Sequence, residues 1–195
     1  ISPYDLAGRF GTDALRWWLL RDVARLGDTD FTAGRLVTRA NSDLANGVGN
    51  LQHRTLSLVH RYRQGQLAAP AGAAPLGTEL AAAGRALPQL IDGALARFDF
   101  RAATGAIWSA VQAGNRLVET ERPWELARRE KQGDRAAAAR LDGLLGVLAE
   151  ACRVLATELQ PFIPAGAWAL SSQFRTHRGR IAPPAPVFAR LKAPD

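Results

Sequence analysis

Asn50 and Arg54 stand four residues apart, so on a helix they share one face, with His53 and Ser57 beside them. An amide, a guanidinium and an imidazole in that arrangement make a hydrogen-bonding surface rather than a metal cage or a nucleophile–base pair. The alternatives stay open at this level: a solvated helix face, Asn50 capping a kinked helix beside Gly49, or Arg54 paired with a carboxylate such as Asp43. Trp124 follows Pro123, where an indole could serve as a core anchor or present its face to a flat ligand. The histidines His53 and His60, seven apart, would lie about 10 Å from one another on a helix, too far for one metal ion. The chain carries no dinucleotide fingerprint, no phosphate-binding loop and no HExxH string, and Ser57 and Ser109 have no evident base. No catalytic residue and no metal ligand is assigned, which favours a binding module over a self-contained enzyme.

Those residues need helices to hold them, and helical periodicity runs through the chain. From Asn41 to Arg63, Leu44, Val48, Leu51, Leu58 and Val59 form one apolar stripe. Asn46-Gly47 and Gly49 interrupt it, predicting a kink or a close approach to a neighbouring helix. Upstream, Ser2-Pro3 opens a short helix closing near Gly8, and Thr12 is expected to cap a second, which carries Trp17 and Trp18. Adjacent tryptophans cannot face the same way, so at least one must pack outside that helix's own core. Thr32 caps the next helix. Residues 65–77 read as a Pro/Gly/Ala surface loop, followed by a helix from Thr78 to about Arg97 with a bend at Pro88. Further helices are predicted from Arg101 to before Pro123, from Pro123 over PWELARRE, from Ala136 to Gln160, and from about Pro164 to Phe174. No strand alternation and no internal repeat is present. The fold expected is all-α: an up-and-down bundle of about five main helices with a small N-terminal helical appendage. The divisions expected are 1–31 for the appendage, 32–174 for the bundle, and 175–195 for a Pro/Arg-rich tail lying as an extended strip or partly mobile.

The net charge is +7, and among the basic residues only Lys131 and Lys192 are lysine. Arginine suits bidentate phosphate contacts and stacking on bases, although an Ala/Arg-rich composition also follows genomic base content. Cys152 is the single cysteine, in an apolar helical context that suits a buried thiol in a reducing compartment. There is no secretory leader pattern and no apolar run of transmembrane length, so a cytoplasmic location without membrane partners is expected. The chain contains no methionine and opens at ISPYDLAGRF, which suggests a piece of a longer polypeptide.

Taken together, the strings ISPYDLAGRFGTDALRWWLL, NSDLANGVGNLQHRTLSL, GNRLVETERPWELAR, LQPFIPAGAWAL and PAPVFARLK resemble the C-terminal part of methionyl-tRNA synthetases, class I aminoacyl-tRNA synthetases. The resemblance covers roughly residues 1–190, and the NSDLAN…GNL..R and RPW pieces are its most specific parts. It implies a stem-contact-like appendage and an anticodon-binding bundle. By motif, the residues that read the CAU anticodon fall on Asn50, Arg54 and Trp124. Supporting roles fall on Asn115, expected to hold the Trp124 loop by hydrogen bonds, on His53 and Pro123, and on Asp13 and Arg16 of the DALR string, expected to order the appendage. The partners implied are methionine-specific tRNA and a catalytic domain of the same polypeptide, not DNA. ATP and Mg would belong to that parent enzyme, with no cofactor in this chain. The HIGH and KMSKS motifs are missing, so this stretch alone should not form methionyl-adenylate. The competing expectations are a helical bundle that serves protein interaction without tRNA, and the equivalent domain of a sister class I synthetase such as that for cysteine. The RPW and NSDLAN strings weigh against the sister.

Overall fold

The computed structural model describes residues 2–24, 26–67 and 78–192. Two helices form the appendage, α1 (Pro3–Phe10) and α2 (Thr12–Asp22). Pro3 opens α1, where its missing N–H costs nothing. The helix runs two residues past the predicted end at Gly8, which leaves Gly11 as the only joint. Gly11 takes a left-handed φ of 89° and occupies the capping position of α2, so Thr12 is the first helical residue rather than its cap. Trp17 and Trp18 are both buried and point into different cores. Trp17 joins the main bundle core, while Trp18 joins a smaller cluster with Phe10, Leu15, Leu36 and Val37. Phe31 packs edge-on to Trp18 with ring centroids 4.9 Å apart.

Thr32 caps α3 (Ala33–Arg39) as predicted, its hydroxyl accepting from the Arg35 N–H at 3.1 Å. The chain then continues without a break through a π-helical segment, Ala40–Gly49, into α4 (Asn50–Arg63). The predicted close approach is present. A Cβ on Gly47 would lie 2.5 Å from the Trp108 ring, and one on Gly49 would lie 3.1 Å from Phe188. The wide turn carries Asp43 into the interior at 1% exposure. There it accepts from the Trp17 indole N–H at 3.2 Å and meets Arg21 at 3.5 Å and Arg39 at 3.6 Å. Arg54 is therefore not the partner of Asp43.

The rest of the bundle comprises α5 (Thr78–Leu95), α6 (Phe100–Glu121), α7 (Pro123–Lys131), α8 (Arg135–Glu158) and α9 (Pro164–Ser172). Helix α5 passes through Pro88 without ending. The surface loop predicted over 65–77 falls mainly outside the described residues, as does the capping side chain of Thr78. Helix α8 is the central strut. Leu141, Leu144, Leu145, Leu148, Leu155 and Leu159 are all buried along it and at its end, on the predicted stripe. Asp134 caps its start, accepting from the Ala137 N–H at 2.9 Å. That cap, with Arg129 alongside, holds the Asp134 carboxyl below its ordinary pKa.

A two-residue ladder, β1 (Thr176–His177) against β2 (Arg180–Ile181), was not foreseen. Arg178 and Gly179 both take positive φ and close the turn, and four paired residues are too few to show alternation. The tail beyond it is docked. The Asn41 amide both donates to and accepts from the Leu191 backbone, at 2.9 and 2.8 Å. Arg190 donates to Asn46 at 2.8 Å, and His60 Nε2 donates to the Ala182 carbonyl at 2.9 Å.

Candidate nucleic-acid interface

Along α4 the residues 50, 54, 57 and 61 recur at spacings of four, three and four, which places Asn50, Arg54, Ser57 and Arg61 on one stripe. The opposite face is fixed by the buried side chains of Leu51, Thr55, Leu56 and Val59, so this stripe faces outward. Asn50 and His53 are exposed and Arg54 is partly so. Among the described residues, none of the three side chains has a hydrogen-bond partner. Asn50 is therefore not spent on capping α4, which continues straight out of the π segment.

Helix α7 supplies the second stripe. Pro123 is buried at its first position, while Trp124 remains 46% exposed. Trp124, Arg128 and Lys131 are spaced four and three apart and share a face. The two stripes meet at a hollow of about 510 Å³ lined by Arg61, Tyr62 and Arg63 from α4 and by Trp124, Arg128 and Lys131 from α7. The indole is thus neither a core anchor nor isolated; it forms one wall of a basic depression. Arg63 ties the two helices together, contacting Glu130 at 3.1 Å and also Asp142 of α8. Burial opposes its charge, but hydrogen bonds and charge from Asp142 and Glu130 outweigh that and raise its pKa.

Asn50 and His53 line a different, smaller depression of about 250 Å³, walled by Asn46, Phe188 and Arg190. The predicted trio therefore does not close on a single cavity. Asn50 lies at one end of α4 and Arg61 beside Trp124 at the other, about 16 Å along the axis, with Arg54 between. The arrangement is a track that ends in an aromatic, cationic hollow. Arg61, Arg128 and Lys131 were not singled out from sequence, yet the same periodicity, carried past Arg54 and past Trp124, points to them.

The supporting residues divide. Asp13 accepts from the Gly166 N–H at 2.5 Å, capping the start of α9 from another helix. Arg16 donates to the carbonyls of Phe162 at 2.8 Å and Pro161 at 2.7 Å. Together they pin the appendage onto the corner between α8 and α9. Asn115 does not hold the Trp124 loop: its amide donates to the Val111 carbonyl of its own helix at 3.2 Å, while its oxygen is buried without a partner. Residue spacing could not disclose that inward rotamer, whose amide N–H bonds back to its own helix. Cys152 is buried among apolar side chains, and that burial pushes its thiol up to about 12. Among the described residues there is no cluster of His, Cys, Asp and Glu that could hold a metal ion, and no helix long and apolar enough to cross a membrane.

Comparison with known proteins agrees with the strings noted above. The family model "tRNA synthetases class I (M)" matches residues 1–56. The methionine–tRNA ligase of Caldanaerobacter subterraneus is 34% identical over 164 residues, 84% of this chain and 25% of that protein. That of Deinococcus radiodurans is 37% identical over 174 residues, 89% of this chain and 25% of that protein. The chain therefore spans about a quarter of the length of these curated relatives. Among solved structures, the free-state Mycobacterium tuberculosis methionyl-tRNA synthetase superposes over 100% of this chain and 42% of its own, with TM-score 0.91 and 29% identity. The same enzyme bound by methionyl-adenylate gives TM-score 0.89 and 28% identity, over 97% of this chain and 40% of its own.

Proposed function

The chain belongs to the methionyl-tRNA synthetase family, and from that premise we propose that it reads the CAU anticodon of methionine-specific tRNA. In this reading residues 32–174 are the anticodon-binding bundle, residues 1–31 the stem-contacting appendage and 175–195 a closing tail. A catalytic domain elsewhere in the same cytoplasmic polypeptide uses ATP and Mg to methionylate the tRNA's acceptor end; the present chain positions that tRNA. The observation that carries the proposal is the exposed face of Trp124 in a hollow rimmed by arginine, at the end of the Asn50–Arg54 track. An unstacked loop base lies on the indole, and the amide and guanidinium meet Watson–Crick edges along the track. An amide that both donates and accepts, beside a guanidinium that only donates, suits cytosine, whose edge carries an acceptor oxygen and an amino donor.

The test is a titration of this chain with methionine tRNA and with the same tRNA carrying a changed anticodon. The expected result is a preference for CAU, with an affinity that Trp124→Ala lowers by about 5- to 150-fold, the loss of one base–aromatic stack of about 1–3 kcal/mol. In the whole ligase the same substitution lowers kcat/KM for aminoacylation and leaves tRNA-independent adenylate formation intact. A bundle indifferent to the anticodon would identify a structural or protein-interaction module instead, and preference for another triplet would identify a sister synthetase.

A further inference from the structure

We propose that Arg61, Arg128 and Lys131 form a clamp for the phosphodiester backbone of the strand whose base lies on Trp124. The inference rests on the RNA-reading role above and deepens it by separating the part of the hollow that holds the strand from the part that reads it.

The first observation is which cations are occupied. Within the hollow, Arg63 is engaged by Glu130 and Asp142; Arg122, Arg129 and Arg140 line a separate depression and are paired there with Glu125 at 3.2 Å, Asp134 at 2.6 Å and Glu121 at 2.7 Å. Among the described residues, Arg61, Arg128 and Lys131 have no carboxylate within salt-bridge distance, and all three are exposed. They are also the three cations that line the hollow beside Trp124 apart from the occupied Arg63. The one carboxylate in the lining, Glu130, is held by Arg63 at 3.1 Å. The hollow therefore keeps an uncompensated positive charge, and Arg54, likewise unpaired among the described residues, continues it along α4.

The second observation is geometric. Arg61 comes from the last turn of α4, and Arg128 and Lys131 come from the last turn of α7, so the charges reach the cavity from two helices. The Arg61 guanidinium lies over the Tyr62 ring, 5.6 Å from its centroid, which restrains the fork and leaves its N–H edge to donate. Helix C-termini favour cations on their own account, but Arg129 occupies the same turn of α7 and is paired, so the dipole does not explain which ones are left open. A groove that combines an aromatic face with unpaired cations on both sides is the arrangement that holds a single strand by its backbone while stacking a base. Phosphate contacts fix register without reading sequence.

The experiment measures binding of this chain to the CAU anticodon stem-loop and to a stem-loop with a changed triplet, across a salt series. The clamp is removed in Arg61→Gln/Arg128→Gln/Lys131→Gln and restored in charge by Arg61→Lys/Arg128→Lys. The expected result is that the glutamine variant lowers the slope of log K against log salt by about 2, for both RNAs alike. The wild-type affinity loss between 50 and 200 mM salt then shrinks by roughly 15- to 20-fold. The lysine variant keeps the wild-type slope, and Trp124→Ala keeps it while weakening binding to both RNAs. An unchanged slope in the glutamine variant, with CAU preference intact, overturns the clamp and leaves anticodon reading standing. A lowered slope with no CAU preference in the wild type sustains the clamp and overturns anticodon reading. Absence of binding to either RNA overturns both. Circular dichroism melts of the variants check that the bundle remains folded.

Discussion

Removing the Asp43 carboxylate is expected to destabilise the chain by about 2–4 kcal/mol. Asp43 is 1% exposed and Trp17 is fully buried, so the indole N–H that donates to it at 3.2 Å has no water to turn to. Orphaning such a donor costs about 1–3 kcal/mol. The two arginines respond differently. Arg39 keeps its two hydrogen bonds to Asp22, at 2.8 and 2.7 Å, and loses only a 3.6 Å ion pair. The Arg21 side chain is 19% exposed and recovers part of its hydration, which keeps the total below the full cost of breaking a buried pair. The measurement is urea unfolding of Asp43→Ala and Asp43→Asn followed by far-UV circular dichroism, with the slope required to stay constant. Asp43→Asn retains an acceptor for the indole and should fall between Asp43→Ala and the wild type. A cycle with Trp17→Phe isolates the indole bond: Trp17→Phe should cost about 1–3 kcal/mol less once Asp43 is gone. A loss below about 0.5 kcal/mol in Asp43→Ala, or no coupling to Trp17, would refute the claim that this carboxylate holds the π segment against α2.

Gly146→Ala, in open space within α8, should stabilise by up to about 1 kcal/mol through helix propensity. Gly166→Ala should instead cost about 1–3 kcal/mol, because its Cβ would meet Phe188 at 2.5 Å; denaturant midpoints and faster proteolysis of the tail report the two signs. Cys152, buried with its thiol pushed up to about 12, should react with an aromatic disulfide reagent at pH 8 at least about 1,000-fold more slowly in the native than in the unfolded chain. A thiol that titrates within seconds in native buffer would contradict that burial. Burial and the nearby Asp92 raise the Glu158 pKa, so folding favours its protonated form. Its contribution is present in full below the ordinary glutamate range and is lost as pH rises through the folded value. Glu158→Gln should therefore be more stable than the wild type at pH 7, with the gap closing near pH 3; a gap that widens on acidification would reverse the assignment.

The helices were legible because their stops and starts are chemical. Pro3, Pro123 and Pro164 each sit in a first turn, Thr32 caps as its position demands, and the leucines of α8 fall on one buried face. The adjacency of Trp17 and Trp18 foretold two packing directions. The π segment was not legible: Gly47 and Gly49 marked a close approach, but nothing in residue order distinguishes a wide turn from a kinked one. Gly11 displaced Thr12 as a cap because two extra residues of α1 left no other joint. The hollow was half legible. Trp124 and its proline were found by type, whereas Arg61, Arg128 and Lys131 look like any surface cations until the fold brings them to one cavity beside Trp124. Asn115 failed for the opposite reason, since a matched position does not determine a rotamer.

Helix α8 has one of two features at each of its ends. Its start lies just past α7, whose residues wall the hollow, and its far end turns through Pro161 and Phe162 into the grip of Arg16. Twenty-four helical residues make a rod about 36 Å long. The rod works as a gauge: it holds the basic hollow and the appendage at a set separation, so a rigid ligand that touches both must match that span, and a longer or shorter one can engage only a single end.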